Sequence, residues 1–185
     1  MVRSRLLFAV STALSLVACQ SAPKSNGTAT TTSKVEIQPV EWPKQSIDAQ
    51  ALARLPSASQ TAVAKSTVPV LVPADPALLA VAVVMVEEVW TAVSASGGGV
   101  TIAIHCTRLA HKYEGQPPIA GDRDVRGTKG FVTQNESIRS ASWNEHGVGY
   151  SLDVECADPT EARCGDDKYL LSVVEGLRYV GGGAQ

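Results

Sequence analysis

Apolar positions along the chain follow two periods, and the change from one to the other falls near residue 67. Ile47, Ala51, Leu52 and Leu55 recur at helical spacing and stop before Pro56, and a second short helical stretch follows from Ser59 to Lys65. From Val68 the pattern turns β-branched. Val68 to Pro73 reads as an edge strand or the first strand of a domain, because each proline removes a ladder donor. Ala77 to Val86 (ALLAVAVVMV) fits helix or strand, and its Val-rich end favours a buried strand. Glu88 to Ala95 and Val100 to Leu109 alternate around Ser96-Gly-Gly-Gly99, which predicts a hairpin whose glycines supply positive φ.

Residues 114–129 are polar and rich in Gly and Pro and read as a surface loop, after which Gly130 to Thr133 begins another strand. Ile138 to Trp143 and Val148 to Cys156 flank Asn144-Glu-His-Gly147, a second hairpin. Alternation there sets Tyr150, Leu152 and Val154 on one face and Ser151, Asp153 and Glu155 on the wetter one. Tyr169, Leu170, Val173, Val174 and Leu177 then form an apolar stripe on a helix capped by Asp166 or Asp167, and Gly181 to Gly183 end the domain. The expectation is α+β: an antiparallel sheet of about five or six strands with a C-terminal helix packed on one face.

The N-terminal apolar run is of another kind. Arg3 and Arg5 precede Leu6 to Leu16, a stretch of signal-peptide length and too short for the ~20 residues of a membrane-spanning helix. Leu16-Val17-Ala18-Cys19 resembles the lipobox of bacterial lipoproteins. The resemblance implies that residues 1–18 are cleaved and that Cys19 is acylated and becomes the new N-terminus. Several acyl chains on one residue anchor a protein far more firmly than one. Gln20, rather than Asp, implies sorting to the outer membrane, with inner-membrane retention as the alternative. Residues 19–34 then form a Ser/Thr/Ala-rich tether, 35–66 a transition segment with short helices, and 67–181 the globular domain.

Composition narrows the function. The 185 residues, 44% hydrophobic and with a net charge of −2, fit one modest domain and argue against a nucleic-acid partner, which needs a basic footprint. Aromatics make up only 5%, so Val, Ile, Leu and Ala must build the core. The Gly97–Gly99 run lacks the Lys-Ser/Thr of a phosphate loop, and no cofactor motif follows from the chain. An export signal implies an oxidising compartment, so Cys156 and Cys164 are expected to pair, and Cys106 to be a buried inert thiol. His105, Cys106 and His111 are weighed as a metal site and set aside, because strand neighbours point to opposite faces. The carboxylates from Asp153 to Asp167 lack calcium-loop order, Ser151 lies outside a nucleophile elbow, and His146 sits on a turn tip.

Ser142-Trp-Asn-Glu-His-Gly-Val-Gly-Tyr-Ser-Leu152 with the following helix also resembles, over about forty residues, the C-terminal part of lipoprotein-carrier and anti-sigma-regulator-like extracytoplasmic domains. That resemblance carries over no site residues. The leading expectation is a non-enzymatic, lipid-anchored envelope protein that binds a protein or glycan of the envelope, with Val70–Val72, Trp90, Trp143 and Tyr150 as contact candidates. A carrier or sensor of apolar ligands would need a pocket of several hundred Å³ between sheet and helix. An enzyme would need polar groups of shifted pKa converging in a cleft.

Overall fold

The structure is a computed structural model that describes residues 33–183. The expected leader, Cys19 and the tether up to residue 32 lie outside the described residues. In chain order the elements are β1 (Ser33–Ile37), α1 (Ala49–Arg54), α2 (Ser57–Val63), β2 (Val70–Val72), α3 (Pro76–Leu79), β3 (Val83–Val86), β4 (Trp90–Gly97) and β5 (Val100–Thr107). They continue with β6 (Leu109–Tyr113), β7 (Arg123–Val125), β8 (Thr128–Asn135), β9 (Ile138–Glu145), β10 (Val148–Cys156), α4 (Ala162–Gly165), α5 (Asp167–Gly176) and β11 (Arg178–Gly181). The architecture is α+β.

The main sheet is antiparallel with seven strands, ordered β3-β4-β5-β10-β9-β8-β7, and two further antiparallel pairs, β1-β6 and β2-β11, stand beside it. Two-residue turns set most of its hairpins, and β5 and β10 join the two runs. Gly98-Gly99 and His146-Gly147 both hold positive φ at each position, the geometry whose twist matches the flanking strands. Both expected hairpins are present with tighter turns, since Ser96 and Gly97 belong to β4 and Asn144 and Glu145 to β9.

Four local expectations are corrected. Ala77 to Val86 is not one strand: Asp75 accepts from the Ala77 amide and Pro76 opens the helix, so capping gives α3, and only Val83–Val86 extends. The 114–129 loop contains β7 and the start of β8, joined through Arg126-Gly127. Val70–Val72 leaves the main sheet to pair with β11, a strand where the sequence pattern marks only the end of the domain. Ser33 and Lys34 belong to β1 rather than to the tether, and Ala51, Leu55 and Val63 of the transition segment share one core with the sheet.

That core lies on one sheet face. Val93, Ile102, Ile104, Leu152, Val154 and Ala141 face Leu170 and Val174 of α5 and the β2 valines, all buried. Buried hydroxyls are satisfied: Ser59 Oγ donates to the Ala82 carbonyl at 2.7 Å, and Ser66 Oγ bonds Thr91 Oγ1 at 2.7 Å. The C-terminal helices are tied down twice. Cys156 and Cys164 are joined in a disulfide, and Arg139 donates to the carbonyls of Cys164 and Gly165 and to Asp167 Oδ1 at 2.6–2.8 Å. At the other end of α5, Arg126 Nη1 donates to the Val174 carbonyl at 3.0 Å while its Nε meets Glu145 Oε2 at 3.0 Å.

Candidate functional site

Strand alternation sends every second side chain of the main sheet away from the core. Register places Met85, Ala92, His105, Ser151, Ser142 and Phe131 in one outward row across β3-β4-β5-β10-β9-β8. The next row holds Val83, Ser94, Ala103, Asp153, Ser140 and Thr133. The middle of this face is mostly small side chains around His105 and Asp153, and its two edges are apolar, with Val83, Met85 and Phe131 exposed at 56%, 52% and 37%. His105 stands near the centre, its ring 5.6 Å from the half-buried Trp90 ring and tilted 35° to it.

The three aromatic contact candidates separate. Trp90 lies on this outward face, whereas Trp143 and Tyr150 are each 3% exposed and belong to the core. Their rings stack at 5.3 Å and 12°; Trp143 Nε1 donates to Glu145 Oε2, and the Tyr150 hydroxyl donates to the Pro69 carbonyl at 3.0 Å. Burial pushes the Tyr150 hydroxyl well above its ordinary value. Neither ring can meet a partner, which corrects both as contact residues. Odd positions of β9 and even positions of β10 face inward, so Tyr150 shares the core face with Leu152 and Val154, the partners that alternation gave it in the sequence. Val70–Val72 is likewise fully buried.

Chemistry-bearing groups are dispersed. Cys106 points inward, donates to the Thr91 carbonyl at 3.1 Å and has its thiol pushed up to about 12 by burial, while its neighbour His105 points out. The dense carboxylates have structural work. Asp166 caps α5, Asp158 accepts from the Thr160 amide and hydroxyl, Asp167 pairs with Arg139, and Glu161 pairs with Arg163. Lys168 and Thr160 respectively hold the exposed carboxyls of Asp166 and Asp158 below their ordinary values. His105 and Ser151 are cross-strand partners, a juxtaposition the sequence did not reveal because strand order does not follow from spacing. No hydrogen bond joins them among the described residues, and they lie on an open sheet face. Between α5 and α3 there is a hollow of about 180 Å³ lined in part by Leu78, Ile102, Tyr169 and Val173.

Compared with known protein families, curated proteins and solved structures, the chain finds no match. Among the described residues no helix is long and apolar enough to cross a membrane.

Proposed function

We propose that this is a non-enzymatic protein of the bacterial cell envelope, anchored through acylated Cys19 to the outer membrane, whose outward sheet face recognises another envelope protein. One observation carries the recognition: an outward face of mostly Ala and Ser around His105 and Asp153, bordered on its edges by exposed Val83, Met85 and Phe131. Small side chains let a partner approach the backbone closely, and exposed Met85 and Phe131 supply the methionine and aromatic contact area that protein interfaces favour. A glycan platform would instead present an open aromatic face, and Trp90 is half-buried against His105. The carrier alternative asks for several hundred Å³ beneath α5, where the hollow is about 180 Å³.

The test is chemical cross-linking of the native protein in its membranes, followed by capture and mass spectrometry, run in parallel on Ser151→Arg. The expected result is an envelope protein recovered in stoichiometric amount with the native chain and lost from the variant, whose melting temperature is unchanged. Equal recovery with both would remove the outward face from the interaction, and recovery of glycan alone would replace the protein reading.

A further inference from the structure

Pairing of β1 with β6 sets Ser33 opposite Tyr113, Val35 opposite His111 and Ile37 opposite Leu109, so these six side chains share one face of a two-stranded ribbon. The intervening pairs, Lys34 with Lys112 and Glu36 with Ala110, occupy the other face, where both lysines bind the Glu36 carboxylate, at 3.1 Å from Lys34 and 2.5 Å from Lys112. The ribbon is therefore amphipathic, with its apolar face uncovered. Val35 is 51% exposed, Ile37 56%, Tyr113 48%, and Ile119 in the loop after β6 85%. That loop and the end of β6 enclose a hollow of about 530 Å³ lined by His111, Tyr113, Pro117, Pro118 and Ile119.

We infer that this ribbon face rests on the membrane surface to which the chain is anchored, with Val35, Ile37, Tyr113 and Ile119 in the headgroup and upper acyl region. The inference rests on the anchor proposed above. Its second support is covalent: Ser33, the first residue of the ribbon, follows Cys19 by fourteen residues, which span no more than about 50 Å fully extended. The ribbon holds the first described element after Cys19, and short attachment raises its effective concentration at the bilayer. Apolar side chains and a tyrosine toward lipid, with lysines on the opposite face, is the polarity an interfacial element requires.

The experiment places the photo-cross-linking amino acid benzoylphenylalanine at position 35, 119 or, as a control on α5, 172. Each mature chain, beginning at Cys19, is held on phosphatidylethanolamine–phosphatidylglycerol vesicles in two ways: by its native acyl groups, and by coupling Cys19 to a maleimide phospholipid. The expected result is lipid adduct at 35 and 119 about tenfold or more above that at 172, the factor that burying one apolar side chain supplies. Equal lipid adduct at all three positions overturns the inference. So does cross-linking in cells from position 35 into a protein instead of lipid, which would make the ribbon a protein-docking element. The mass of the native N-terminus tests the anchor separately: an unacylated Cys19 removes that reading, while the maleimide-coupled chain still decides whether the ribbon meets lipid.

Discussion

The two faces of the main sheet are made by the same strands, and adjacent residues divide between them. On β10, Leu152 packs against the core with no exposure, and Ser151 and Asp153 on either side of it are half-buried on the open face. The inner face carries Val, Ile, Leu and stacked aromatics under α5 and the β2-β11 pair; the outer carries mostly Ser, Thr and Ala, with Trp90, His105 and Asp153, between apolar edges. Stability is thereby concentrated in one set of alternate positions, which leaves the other set free to be chosen for contact rather than for packing. The comparison breaks most visibly at Leu152. Leu152→Ala should lose about 2–5 kcal/mol in denaturant unfolding through the cavity it leaves. Ser151→Ala, one residue away, should stay within about 0.5 kcal/mol.

The inner face also depends on its covers staying in place. The Cys156–Cys164 bond fastens the end of β10 to α4, immediately before α5. Cys164→Ser should lower stability by about 2–3 kcal/mol, the chain-entropy value for so short a loop, and reducing agent should lower the melting temperature of the native chain by the same amount as the substitution. Equal melting of oxidised and reduced protein would show that the covering helices hold without the crosslink.

Both hairpins, the pair of short helices, the capped terminal helix and the alternation of β10 were legible in the sequence because each is a local signal read over a few residues. What was not legible depends on partners distant in the chain. β2 looks like an opening strand of the sheet until Arg178–Gly181 arrives to pair with it, more than one hundred residues later. β7 is three residues long and hidden among glycines, and it exists because β8 offers it an edge. The alternation of β10 set Tyr150 with Leu152 and Val154, but its stacking on Trp143 depended on the register fixed by the His146-Gly147 turn. The outward rows, with His105 beside Ser151, needed the full strand order.

Arg126 ties the cover of the inner face to the sheet through one side chain, since its guanidinium reaches the Val174 carbonyl of α5 and the Glu145 carboxylate that also receives Trp143 Nε1. Its own backbone holds φ of 48°, a left-handed conformation that disfavours a side chain. Two substitutions separate these effects. Arg126→Ala should cost about 1–3 kcal/mol by leaving a half-buried carboxylate and helix end unpaired, and Arg126→Gly should cost about 1 kcal/mol less because glycine relieves the backbone. Equal losses would show that the turn carries no strain.

Cys106 sharpens the contrast through pH. Its folded thiol titrates near 12, above the ~8.5 of a free thiol, so below about pH 8.5 it contributes no pH dependence. Above that the unfolded chain releases the proton and the folded chain keeps it, and stability falls as pH rises toward 12. The expected slope is about 1.4 kcal/mol per pH unit once the unfolded thiol is ionised. Buried Tyr150, raised in the same direction, adds its share only above about pH 10. Urea unfolding between pH 8.5 and 10 should therefore show a shallower decline for Cys106→Ala than for the native chain, with no corresponding difference for a substitution at His105 on the opposite face.

The smallest expected effect bears most directly on recognition. Ser151→Arg adds a long side chain at the centre of the outward face, between His105 and Ser142 and beside Asp153, where the guanidinium can lie along the sheet into water. Its unfolding free energy should stay within about 0.5 kcal/mol of the native value. A loss above about 2 kcal/mol would mean that another part of the chain packs on this face, since only a closed surface rejects added volume so strongly. The floor of small residues would then be explained by internal packing, and the exposed Val83, Met85 and Phe131 would be the rim of that contact instead of the border of a partner's footprint.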